Sequence, residues 1–229
     1  MLHVQKGDFR MTRADVAEMY KSGLSMGLMS CLVGFGTVSL QSAINTLGTA
    51  VIVAHTAARK VFEIMSLPTS VLGAAMATYS GQNYGAKKYD RIRIGIKSAL
   101  TIGAIWSVIV FILSRTVAMI LIRFIASTSD PEVLYWGTTY LRVDLCFIVV
   151  CVMVVILRNS MQGFGDHITP VFSSCIEMVG KMVFAFVFVP IMGYWGIIWA
   201  EPVVWICMVI PLIIKTLKNP AIRQKKVDL

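Results

Sequence analysis

The segment HTAARKVFEIMSLP, residues 55–68, carries Arg59, Lys60 and Glu63 in the middle of an apolar region. LGTAVIVA (47–54) precedes it and TSVLGAAMATYS (69–80) follows it. An ionised side chain at bilayer depth costs roughly 2.5–3.5 kcal/mol on insertion scales. The segment is therefore a span whose charges face protein or water, or it is not a span. The surrounding sequence decides between the two.

The chain has 229 residues, 57% hydrophobic and 14% charged, with a mean hydropathy of +0.75. A soluble domain is roughly half apolar and roughly a quarter charged. Here the apolar residues form runs of about twenty or more, the length that crosses a hydrocarbon core. Six spans are expected at 22–44, 50–78, 94–118, 133–157, 168–190 and 196–216. The segments NTLGT, GQNYGAKKYDRIR, ASTSDPE, QGFGDHITP and MGYWG separate them. The expected fold is an all-α integral membrane bundle of six helices over 22–217, with an amino flank 1–21 and a basic tail 218–229.

An even number of spans puts both termini on one side. Of the chain's 21 Lys and Arg, fifteen fall on that side: Lys6, Arg10, Arg13, Lys21, Lys87, Lys88, Arg91, Arg93, Lys97, Arg158, Lys215, Lys218, Arg223, Lys225 and Lys226. Arg115 and Arg123 fall on the other. Excess Lys and Arg marks the cytoplasmic face, so both termini are expected there. The net charge of +9 follows the loops and forms no basic stripe with interleaved aromatics, which argues against nucleic acid as a partner.

Four basic residues remain inside the spans, Arg59, Lys60, Arg142 and Lys181, with four acids, Glu63, Asp144, Glu177 and Glu201. They are expected to face one another or water. His55, Arg59, Glu63, Ser66 and Ser70 share one helix face, and Glu177 and Lys181 stand at i, i+4 in the favourable order. Glu177–Lys181 reads first as a salt bridge pinning helices. Glu63, with two basic neighbours, reads as an ion-paired acid. Asp144 has no basic residue at i±3 or i±4 and lies roughly 15 Å into its span, which makes it the leading candidate for proton or ion exchange. Glu63, Glu177 and Glu201 complete the candidate coupling acids. Gln41, Asn45, His55 and Ser66 are candidate cavity-lining residues.

In the first span Gly23, Gly27, Ser30 and Gly34 form a small-residue stripe that favours close helix approach. Pro68 and Pro211 are expected to kink their spans. The five cysteines all lie inside apolar runs without metal-ligand spacing. No Ser/His/Asp set, HExxH, CxxC or phosphate-cradling glycine loop is present, so neither a catalytic nor a metal site is expected.

SAINTLGTAVIVAHTAARKVFEIMSLP (42–68), YSGQNYGAKKYDRIRIGIKSAL (79–100), YLRVDLCF (140–147) and LRNSMQGFGDHITP (157–170) resemble the carboxy-terminal half of bacterial MATE (multidrug and toxic compound extrusion) transporters. The resemblance covers about residues 12–217. It implies one six-helix lobe of a twelve-helix protein of the bacterial plasma (inner) membrane. The implied activity is export of organic, often cationic, compounds in exchange for H⁺ or Na⁺ by alternating access, with no cofactor beyond the coupling ion. Asp144 resembles in position an acid that some members use on the fourth helix of this lobe. The acid that some members carry on the first helix has no counterpart at that depth, where Gln41 stands. The implied partners are the lipid bilayer, a small organic substrate and a second six-helix lobe, whether an upstream half, a separate chain or a second copy. A lipid or glycan-precursor flippase of related architecture, and a non-transporting membrane scaffold or fragment, are the alternatives.

Overall fold

The computed structural model describes residues 12–219. Lys6, Arg10, Arg223, Lys225 and Lys226 of the charge count, with most of the amino flank and of the basic tail, lie outside the described residues. The described chain is helical almost throughout: α1 Arg13–Ile44, α2 Thr49–Gly85, α3 Tyr89–Thr116, α4 Ala118–Ala126, α5 Pro131–Cys146, α6 Ile148–Gly163 and α7 Ile168–Val183. A π-helical segment, Phe184–Phe188, then joins α7 to α8, Val189–Met192, and α9 covers Tyr194–Lys218.

Five stretches are long and apolar enough to cross a membrane: Met19–Ile44, α2, α3, Ile168–Met192 and α9. The pair α5–α6 is a sixth when its halves are counted as one span. The protein is thus an all-α membrane-spanning bundle. The end carrying Lys87, Lys88, Arg91, Arg93 and Lys218 is called the basic end below.

Two features differ from the sequence reading, the break in the fourth span and the turn at Val117. The fourth span is not continuous: α5 and α6 meet at 52° across Phe147. No proline or glycine marks the break. The Phe147 amide donates to the Asp144 carbonyl, and the Val150 amide to the Phe147 carbonyl, so the i→i−4 ladder slips to i→i−3 there. At Pro68 and Pro211, by contrast, α2 and α9 remain unbroken. Beside Pro68 the Trp106 indole N–H donates to the Met65 carbonyl at 2.9 Å, supplying a partner where proline disturbs the ladder. Finally, the apolar run after the third span turns at Val117 into the separate helix α4.

Helix starts follow local chemistry. Asp130 accepts the Glu132 amide at 2.9 Å with Pro131 in the first turn, a side-chain cap that fixes α5. Asp166 accepts the amides of Ile168 and Thr169 and the Thr169 hydroxyl, which starts α7. Gly193, at φ +58°, turns the chain from α8 into α9.

α2 is the central rod, packed on α6, α5 and α3, while α9 packs on α7 and α6. Between helices in lipid, close packing supplies most of the attraction. A close backbone approach joins two of the four segments that carry the resemblance. A Cβ on Gly163, from LRNSMQGFG, would stand 2.5 Å from the Ala77 carbonyl and 3.0 Å from the amide of Gly81, from GQNYG. α1 is peripheral and rests mainly on α7. Ser22 and Ser25 fasten its basic end to His167 at 3.2 and 3.1 Å. Gly36, not the expected stripe, makes its close contact, against Lys181 and Met178. Gly23, Gly27 and Gly34 face open space because the exposed side of α1 carries them.

Candidate functional site

The charges inside the bundle form one alternating chain. Arg59 of α2 lies 3.5 Å from Glu201 of α9, and Glu201 lies 3.2 Å from Lys181 of α7. Lys181 lies 3.0 Å from Glu177, which lies 3.4 Å from Arg158 of α6. Five groups thus tie four helices together. Arg158 also donates to the Ser174 hydroxyl at 3.1 Å. Lys181, Glu177 and Glu201 are buried, where each charge keeps a partner and so avoids most of the cost of leaving water.

Asp144 is the exception. It is fully buried, and neither carboxyl oxygen has a hydrogen-bond partner. Its electrostatic neighbours are Glu201, Arg59, Lys181 and the Tyr140 hydroxyl. Asp144 occupies the last turn of α5, three residues before the break at Phe147. The buried set is therefore Arg59, Arg158 and Lys181 against Asp144, Glu177 and Glu201. It is formally neutral when every group is ionised.

This membership corrects the sequence expectation. Lys60 and Glu63 do not join the network: both are exposed, and neither has an ion pair within 4.0 Å among the described residues. Arg59 turns to Glu201 instead of Glu63. Arg142 turns the other way, its guanidinium donating to the Arg115 carbonyl at 3.5 Å. Arg158, expected in a turn after the fourth span, takes Arg142's place because α6 continues to Gly163 and its face meets α7.

A cavity of about 320 Å³ opens beside the network. Thr37, Leu40, Gln41 and Ile44 of α1 line it with His55, Thr56, Arg59, Lys60 and Glu63 of α2, Tyr140 of α5, and Ile197 and Glu201 of α9. Gln41 and His55 thus stand in the lining. Asn45 and Ser66 stand outside it; the Asn45 amide oxygen accepts from Gln41 and the Ser66 hydroxyl donates to the Glu63 carbonyl. His55 Nδ1 lies 3.2 Å from the Tyr194 hydroxyl, and its ring meets Tyr140 edge-on at 4.8 Å. The aromatic wall behind the cavity went unread in the sequence. Its signal was Tyr140, one helical turn before Asp144. The cavity thus carries two charges of opposite sign that are unpaired among the described residues, Lys60 and Glu63, with the buried carboxyl of Asp144 one helical turn from Tyr140 in its wall.

The MatE family pattern matches residues 26–187. The chain is 22% identical over 169 residues to the probable multidrug resistance protein YoeA of Bacillus subtilis (strain 168), covering 72% of this chain and 35% of YoeA. Among solved structures, MATE in complex with MaL6 superposes with a TM-score of 0.81 at 18% identity, over 93% of this chain and 49% of that one. A MOP superfamily transporter from Pyrococcus furiosus, described as having a binding pocket of reverse polarity, superposes at 0.79 with 15% identity, over 90% and 45%. The chain therefore spans about half the length of the solved transporters it matches.

Proposed function

Because the chain belongs to the MatE family, we propose that it forms one lobe of a cation-coupled efflux transporter that exports organic, mainly cationic, compounds in exchange for H⁺ or Na⁺. The observation that carries the reading is Asp144: a carboxyl buried without a hydrogen-bond partner, next to an otherwise paired network and behind the wall of a polar cavity. A group so placed gains from taking up a cation, because no hydrogen bond or ion pair within 4.0 Å among the described residues offsets the desolvation of its charge. Loading Asp144 changes the buried set from neutral to one net positive charge, a change felt at Arg59 and Lys181. These two side chains hold α2 and α7 to α9, so the charge change reaches the contacts between the helices around the cavity. A ligand shifts a two-state equilibrium only through its differential affinity for the states, and here the loaded carboxyl supplies that difference.

The second lobe would close the open side of the cavity and cover Lys60 and Glu63. The excess of Lys and Arg at the basic end supports placing it in the cytoplasm of a bacterial inner membrane, with both termini there.

The test is proteoliposome transport of an organic cation by the chain alone and with a second six-helix lobe, supplied as a separate chain or as a second copy. Cation-coupled flux is expected only with two lobes, and Asp144→Asn is expected to uncouple it. Robust flux from demonstrable monomers, or unchanged coupling in Asp144→Asn, would overturn the reading.

A further inference from the structure

Two arginines on the far side of the bundle have no acid to answer them. Arg115 and Arg142 make no ion pair within 4.0 Å among the described residues. The Arg115 guanidinium donates to Cys146 Sγ at 2.9 Å and lies 5.0 Å from the centre of the Phe111 ring. Neither partner carries a charge that could neutralise it. Among the described residues Arg142 makes one hydrogen bond, the long one to the Arg115 carbonyl, and its Nε is buried with no partner. That bond brings the two residues onto the same patch.

The patch sits at a particular depth. On α3, Lys97 and Arg115 are eighteen residues apart. At 1.5 Å per residue that is about 27 Å, close to the ~30 Å of a hydrocarbon core. Lys97 belongs to the basic end, so Arg115 reaches the opposite edge of the hydrocarbon. Its neighbours on α3 and α4, Ile112, Met119 and Ile120, are exposed and apolar, as a surface against acyl chains would be. α4 starts two residues after Thr116 and carries Arg123 near its end. Neither arginine lines the cavity that Arg59, Lys60 and Glu63 line.

We propose that Arg115 and Arg142 hold the phosphate of an anionic phospholipid in the leaflet at the end opposite the basic one. Guanidinium groups bind phosphate oxygens through paired N–H donors, and at this depth the phosphate is the anion that the membrane itself supplies. The acyl chains lie along the exposed face of α3, and the phosphate takes the outward N–H groups of Arg115 and of the half-buried Arg142. The inference does not depend on what the cavity transports.

The experiment uses the full chain purified in detergent, with native mass spectrometry as the readout. The probes are phosphatidylglycerol, a diacylglycerol with the same chains, and inorganic phosphate. Wild type is expected to retain phosphatidylglycerol over both other probes. Arg115→Gln or Arg142→Gln should weaken retention about tenfold and the double variant should abolish selectivity, with Arg123→Gln unchanged. Arg115→Lys and Arg142→Lys should weaken it less, because the charge stays and the fork is lost. Equal retention by the double variant, or equal binding of diacylglycerol, would overturn the proposal. Protection by inorganic phosphate matching that by the lipid would also overturn it, since the site would then take a free anion. A measurement on wild type guards against misfolded variants: photoreactive phosphatidylglycerol should label residues 111–119 and 142–146, and labelling confined to other segments would overturn the proposal.

Discussion

Lys181 Nζ lies 3.2 Å from Glu201 across the α7–α9 interface and 3.0 Å from Glu177 on its own helix. One ammonium group thus holds two buried carboxylates. A fixed cation occupies the point where two acids converge, whereas neither carboxyl oxygen of Asp144 has a hydrogen-bond partner.

Removing that ammonium should be costly. Lys181→Met leaves Glu177 with Arg158 and Glu201 with Arg59, both at longer range. Breaking a buried pair from one side typically costs about 3–5 kcal/mol. Thermal unfolding in detergent should show a large drop in Tm. Adding Glu177→Gln should recover part of it. A double variant as unstable as the sum of the singles would mean that the two groups are not coupled.

Asp144 should behave in the opposite way. Neither carboxyl oxygen has a hydrogen-bond partner, so Asp144→Asn removes a buried charge and leaves a side chain of the same shape beside Tyr140. Stability should stay within about 0.5 kcal/mol of wild type or rise, while coupled transport by the two-lobe assembly falls. A strong loss of Tm would show that the carboxylate is structural.

At the crossing of α2 and α6, Gly163→Ala places a methyl 2.5 Å from the Ala77 carbonyl and 2.8 Å from Ser80 Cβ. Backbone cannot give way cheaply there, and overpacking of this kind costs typically about 1–3 kcal/mol. Protease resistance of the LRNSMQGFG segment (157–165), the end of α6, is the direct readout; it should fall in the variant.

The glycines of α1 should separate by position. Gly36→Val pushes against the Lys181 side chain and the Met178 backbone, whereas Gly23→Ala and Gly27→Ala meet nothing within 4 Å. Only the first should lower the chain's own Tm. Equal losses at all three would mean that the exposed stripe is packed in the protein as measured.

The sequence by itself determined the class of this protein. Runs of about twenty apolar residues leave the backbone no choice but helices in lipid, where every amide must find its partner within the segment. It also placed the ionisable groups in the spans, since a charge in such a run is legible as a letter. The Glu177–Lys181 pair was readable because both partners sit on one helix, one turn apart. Tertiary structure decided which charge met which. Glu201 is claimed by Arg59 and Lys181 from two other helices, and no periodicity on α9 announces either. Arg158 and Arg142 lie sixteen residues apart, the first just past the end and the second near the middle of a span that reads as one rod. Only the bend at Phe147 and the packing of α6 on α7 bring the first into the network and leave the second outside. Spacing along a chain fixes which side chains share a face; how two faces meet depends on rotations and translations of whole helices, set by the summed packing of residues such as Gly36 and Gly163.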